Sequence, residues 1–70
     1  MNLSRKVKEI IQIGLDHDLE IISYGLAPNP NGFCFEDHGG ASDKTLMHFN
    51  DLLDALTKAE IDELRKAVFA

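Results

Sequence analysis

Three consecutive stretches decide how this chain folds: Glu20-Ile21-Ile22-Ser23-Tyr24-Gly25-Leu26, then Asn29-Pro30-Asn31-Gly32, then Phe33-Cys34-Phe35-Glu36. The first is rich in Ile and Tyr and reads as a strand. Regular alternation along it puts Ile22, Tyr24 and Leu26 on one face and Ile21, Ser23 and Gly25 on the other. In the second stretch proline presets φ for a turn, and the glycine after it accepts a left-handed backbone, which predicts a type I turn with a bulge at Gly32. The third stretch returns as a strand with Phe33 and Phe35 on one face and Cys34 and Glu36 on the other. Pro28 lacks an amide hydrogen and is expected outside the paired region.

Helical spacing surrounds this hairpin. Leu3, Val7, Ile10, Ile11 and Gly14 recur on one stripe, predicting a helix that starts at Asn2 or Ser4 and ends at 16–18. His38-Gly39-Gly40 reads as a joint, with Ser42 or Asp43 capping a second helix whose stripe is Leu46, Phe49, Leu52, Leu53 and Leu56. Thr57-Lys58-Ala59-Glu60 is a capping box, with Leu56 and Ile61 as the flanking staple. It predicts a third helix with Ile61, Leu64, Ala67 and Val68 inward and an Asp62–Lys66 pair outward. The expectation is one α+β domain over residues 1–70, in the order α-β-β-α-α, with a two-stranded antiparallel hairpin packed against three helices. Its expected core is Val7, Ile10, Ile11, Ile22, Tyr24, Phe33, Phe35, Leu46, Phe49, Leu53, Leu56, Ile61, Leu64 and Val68.

Composition narrows the functional classes. Seventy residues carry seven Lys and Arg against twelve Asp and Glu, a net charge of −5. Arg5, Lys6 and Lys8 cluster at the start, where a helix dipole disfavours cations. From Glu9 to Thr57 the one base is Lys44, set against nine acids. An acidic middle disfavours direct nucleic-acid binding, which needs cations against phosphates. Cys34 is the single cysteine, so an internal disulfide is excluded and a reducing, cytoplasmic setting is expected. Glu9, Gln12 and Asp16 interrupt any signal-peptide core, and no apolar run approaches membrane-spanning length.

Candidate chemistry is sparse. His17, Cys34, His38 and His48, with Asp18, Asp37 and Asp51, are the conceivable metal ligands, but no close-paired zinc pattern joins them. A Cys34 nucleophile with His38 or His48 has no visible oxyanion hole or deep pocket. Gly39-Gly40 before a helix lacks the phosphate-loop pattern. Asp16 and Asp18 lack the rest of a calcium loop. No catalytic residue and no cofactor are therefore expected.

What remains is apolar surplus. Ile21 and Cys34 fall on the face opposite the expected core, while Ile13, Leu19, Met47 and Phe69 have no assigned place inside. Burying ~600 Å² of such surface contributes on the order of 15 kcal/mol gross at ~25 cal/mol/Å², against association costs of ~4–15 kcal/mol. The leading expectation is a non-enzymatic protein-interaction module, a homo-oligomer or a small regulator of a larger protein, with Ile21, Cys34, Glu36, Asp37, Asp51 and Asp54 as partner-binding residues. The alternatives are an acidic inhibitor that imitates a phosphate backbone, in the manner of phage and plasmid inhibitors, and a small metal-binding domain.

Overall fold

In a computed structural model, which describes residues 3–25 and 30–70, the order is α1 (Arg5–His17), β1 (Leu19–Tyr24), β2 (Phe33–Asp37), α2 (Asp43–Asp54) and α3 (Lys58–Phe69). This is the expected α+β arrangement of one antiparallel hairpin and three helices. The expectations for Asn2, Leu26, Pro28 and Asn29 lie outside the described residues. No helix among the described residues is long and apolar enough to cross a membrane.

Each helix starts where its sequence supplies an oxygen for a free amide. Ser4 accepts from the Val7 amide at 3.3 Å, and Ser42 from the Thr45 amide at 3.2 Å. Thr57 and Glu60 complete the reciprocal capping box at the start of α3. The cations at the start of α1 find one explanation in Lys6. Its ammonium donates to the Ala55 carbonyl at 3.0 Å, at the end of α2, and lies 3.8 Å from the Glu60 carboxylate. It thus ties three helix ends together, where α2 leaves carbonyls without intrahelical partners. The Ser4 amide donates to Glu63, joining α1 to α3 a second time. On the surface of α3, the contact made by Asp62 is with Arg65, at 3.8 Å, three residues on. Arg65 also lies 4.7 Å from the centre of the Tyr24 ring, a cation–π contact between α3 and the hairpin.

The hairpin departs from regular alternation. Leu19 pairs with Asp37, Glu20 with Glu36 and Ile21 with Phe35; then Ser23, not Ile22, pairs with Cys34, and Tyr24 with Phe33. Ile22 is the extra residue of a β-bulge. One inserted residue reverses the parity of the strand on either side of it. The core face therefore carries Leu19, Ile21 and Tyr24, not the expected Ile22 with Tyr24. Ile22 is 43% exposed and leaves the expected core, whereas Leu19 enters it. Ile21 packs against the core with Phe35, so Ile21 and Cys34 lie on opposite faces of the hairpin and not on one shared face.

Val7, Ile10, Leu19, Phe33, Phe49, Leu53, Leu56 and Leu64 form the buried cluster. Full burial of a side chain such as Phe33 contributes about 1.5–3 kcal/mol. Two edge-to-face aromatic pairs, Tyr24–Phe33 and Phe35–Phe49, each at 4.7 Å between ring centres, run from the hairpin into this cluster. Ile11, Tyr24, Phe35, Leu46 and Ile61 pack against it from partly buried positions. Val68 and Ala67, expected inward, are exposed, since α3 is turned so that Leu64 alone is fully buried.

Asn31 is the buried polar residue of this core, at 7% exposure. Its amide nitrogen donates to Asp54 Oδ1 at 2.7 Å, and its carbonyl oxygen accepts from the Phe33 amide at 2.7 Å. It fixes the start of β2 to the end of α2. Replacing it by alanine removes both bonds, so Asn31→Ala is expected to lower the unfolding free energy by about 1–3 kcal/mol in a denaturant titration.

The capping box also has a pH signature. The Thr57 amide, and beside it Lys6, hold the Glu60 carboxyl below its ordinary value of 4.5. A carboxyl whose folded pKa is depressed stabilises the fold above its ordinary pKa and loses that contribution as pH falls through the folded value. The melting temperature of the native chain is expected to exceed that of Glu60→Gln at neutral pH, and the difference to close as the pH is taken well below 4.5.

Candidate functional site

Two features stand out on the surface, and both grow from β1. The first is a groove of about 360 Å³ between α1 and the hairpin. It is lined by Ile10, Ile11, Gly14 and Leu15 of α1, by Asp18, by Leu19, Glu20 and Ile21 of β1, and by Phe49 of α2 and Val68 of α3. Gly14 lets the elements approach closely, since a Cβ there would lie 3.0 Å from the Leu19 carbonyl oxygen. Leu15 stands at the rim, 74% exposed. It is an apolar side chain left open to solvent at the edge of that groove. Asp18 and Glu20 give the otherwise apolar groove an acidic margin.

The second feature lies on the outer face of the hairpin. Glu20 and Glu36 are directly opposed in the ladder. His38 follows Glu36 by two residues and so returns to the same face. The three side chains converge: His38 Nε2 lies 2.9 Å from Glu20 Oε1 and 3.5 Å from Glu36 Oε2. The hydrogen bond with Glu20 raises the His38 pKa above 6.5, aided by the charges of Glu20, Glu36 and Asp18. Among the described residues, this is the group of three side chains whose donor atoms could meet one metal ion.

The joint after β2 holds His38 in place. The His38 amide donates to the Asp18 carbonyl at 2.9 Å. Asp37 Oδ1 accepts from the Gly39 and Ala41 amides, both at 3.1 Å. Those amides are the ones an anion at Gly39-Gly40 would have used, and a side chain of the same chain already takes them. Gly39 is required by proximity: a Cβ there would come within 2.6 Å of the His17 carbonyl oxygen. Gly39 thus lets the chain pass tightly by the end of α1, and Gly40 takes a left-handed backbone, φ 70°, on the way to α2.

The remaining candidates separate. Cys34 is half-buried on the outer face opposite Ser23, and Glu36 stands between it and His38 along the strand. His48 lies 3.6 Å from Glu9 and shares a smaller cavity of about 200 Å³ with His17, Ile13, Lys44 and Thr45. Asp16 accepts from Gln12 at 2.8 Å, and Asp18 takes the left-handed position that ends α1. Of the six residues expected to bind a partner, Ile21 lines the groove and Glu36 belongs to the His38 cluster. Asp37 and Asp54 serve the internal hydrogen bonds described above, and Asp51 is exposed on α2. Glu20 was not among them, although it belongs to both features. The signal that could have found it is the hairpin register, which sets Glu20 opposite Glu36 once the turn is placed.

Comparisons with protein-family models, with curated proteins and with solved structures found no match.

Proposed function

We propose that this chain is a non-enzymatic, cytoplasmic protein-interaction module that regulates a larger protein by docking one of its segments in the groove between α1 and β1. The observation that carries this reading is Leu15 at 74% exposure beside Ile11, Ile21 and Val68 along one open groove. Contiguous apolar surface with a polar margin is the usual character of an interaction site. The acidic margin of Asp18 and Glu20, on a chain of net charge −5, favours a segment whose apolar side chains are flanked by Lys or Arg. A second copy would bring an identical acidic margin against the first, so the regulator form of the reading is favoured over the homo-oligomer. The free thiol of Cys34 supports the cytoplasmic setting.

The test is a photo-crosslinking amino acid placed at Leu15 and, as a control, at the exposed Lys58 on α3, with the linked peptides sequenced by mass spectrometry. The expected result is a Leu15-specific adduct on an apolar segment flanked by basic residues. A synthetic peptide of that segment should bind the native chain at least ~10-fold more tightly than Leu15→Glu, and less tightly as salt rises. An adduct on a second copy of this chain, on an acidic segment, or equally from both positions contradicts the reading.

A further inference from the structure

We propose that Glu20, Glu36 and His38 form a binding site for one divalent transition-metal ion of the zinc class on the outer face of the hairpin. The site shares Glu20 with the margin of the docking groove, while its imidazole and its second carboxylate lie outside that groove.

The geometry supports it in three ways. The donor atoms all lie within 4.8 Å of one another, with His38 Nε2 at 2.9 and 3.5 Å from the two carboxylates. Zinc bonds to imidazole nitrogen and carboxylate oxygen are about 2.0–2.2 Å, and a tetrahedral arrangement of such bonds separates its ligands by roughly 3.3–3.6 Å. The His38–Glu36 separation of 3.5 Å already matches this, and opening the 2.9 Å His38–Glu20 contact by a few tenths of an ångström makes room for the ion. Second, the ligands are held by backbone pairing. Glu20 and Glu36 are register partners, and the His38 amide is bonded to the Asp18 carbonyl. Third, like charges directly opposed across a ladder are destabilising. A dication on both carboxylates removes that repulsion more completely than a shared imidazolium. One imidazole and two carboxylates suit zinc, cobalt or nickel better than magnesium or calcium, which take oxygen ligands. Water fills the remaining positions on this open face.

The test titrates zinc chloride into the full chain by isothermal titration calorimetry, with the melting temperature followed in parallel. One saturable site is expected, and free zinc at 100-fold above its dissociation constant should raise the melting temperature by roughly 10 °C or more. His38→Gln should abolish the site, and Glu20→Gln or Glu36→Gln should weaken it by about 10-fold or more. All three positions are exposed, so the zinc-free variants are expected to melt close to the native chain, which separates loss of binding from loss of fold. Cys34→Ser and His48→Gln should bind as the native chain does. The absence of saturable binding, native-like binding by His38→Gln, or loss of binding in Cys34→Ser or His48→Gln overturns the assignment. Leu15→Glu should leave zinc binding unchanged, so failure of the docking reading and failure of this one are read separately.

Discussion

The extra residue at Ile22 sets everything else in the hairpin. A strand has a side-chain period of two, so one inserted residue exchanges the faces of all that follows it. Before the bulge, Leu19 and Ile21 point to the helices; after it, Tyr24 does. Without the bulge, a strand that buried Leu19 and Ile21 would turn Tyr24 away from Phe33. The cost is one apolar side chain, Ile22, left in contact with water. The gain is a core face that carries Leu19, Ile21, Tyr24, Phe33 and Phe35 together, with Asp37 at its end, and an outer face on which Glu20, Glu36 and His38 meet.

Around this hairpin the helices are held by the buried cluster, and a few specific contacts fix how they sit on it. Lys6 joins the starts of α1 and α3 to the end of α2. Asn31 fixes β2 to α2, and Arg65 lies against Tyr24. A seventy-residue chain buries a smaller share of its surface than larger domains do, so such contacts weigh heavily in its net stability. The same economy leaves apolar side chains outside. Leu15, Met47 and Phe69 are exposed because three short helices on one face of two strands cannot enclose every apolar position. At Leu15 and Val68 that exposure coincides with a groove, and this is why the docking face is placed there and not at Met47.

The helices were legible in the sequence because their signals are local. Ser4, Ser42 and Thr57 each offer an oxygen just before a periodic stretch, and each caps its helix. The hairpin was legible from Gly32 and the paired aromatics of β2. The parity of β1 was not, because nothing in Ile21-Ile22-Ser23 marks which residue is extra; packing against Phe33 and Phe35 decides it. That one ambiguity moved Ile22 out of the core, brought Leu19 in, and split Ile21 from Cys34. The burial of Asn31 was hidden for a related reason. Asparagine in a turn is ordinary, and its bond to Asp54 spans 23 residues. The His38 cluster was hidden because a search for cysteine and histidine passes over two glutamates sixteen residues apart in the chain. Only the ladder makes them neighbours.

The bulge can be observed directly by nuclear Overhauser contacts across the hairpin in the isotopically labelled chain. The account predicts cross-strand contacts of Ser23 with Cys34 and of Tyr24 with Phe33, together with Glu20 opposite Glu36. Contacts of Ile22 with Cys34 and of Ser23 with Phe33 would show an unbroken ladder and contradict it.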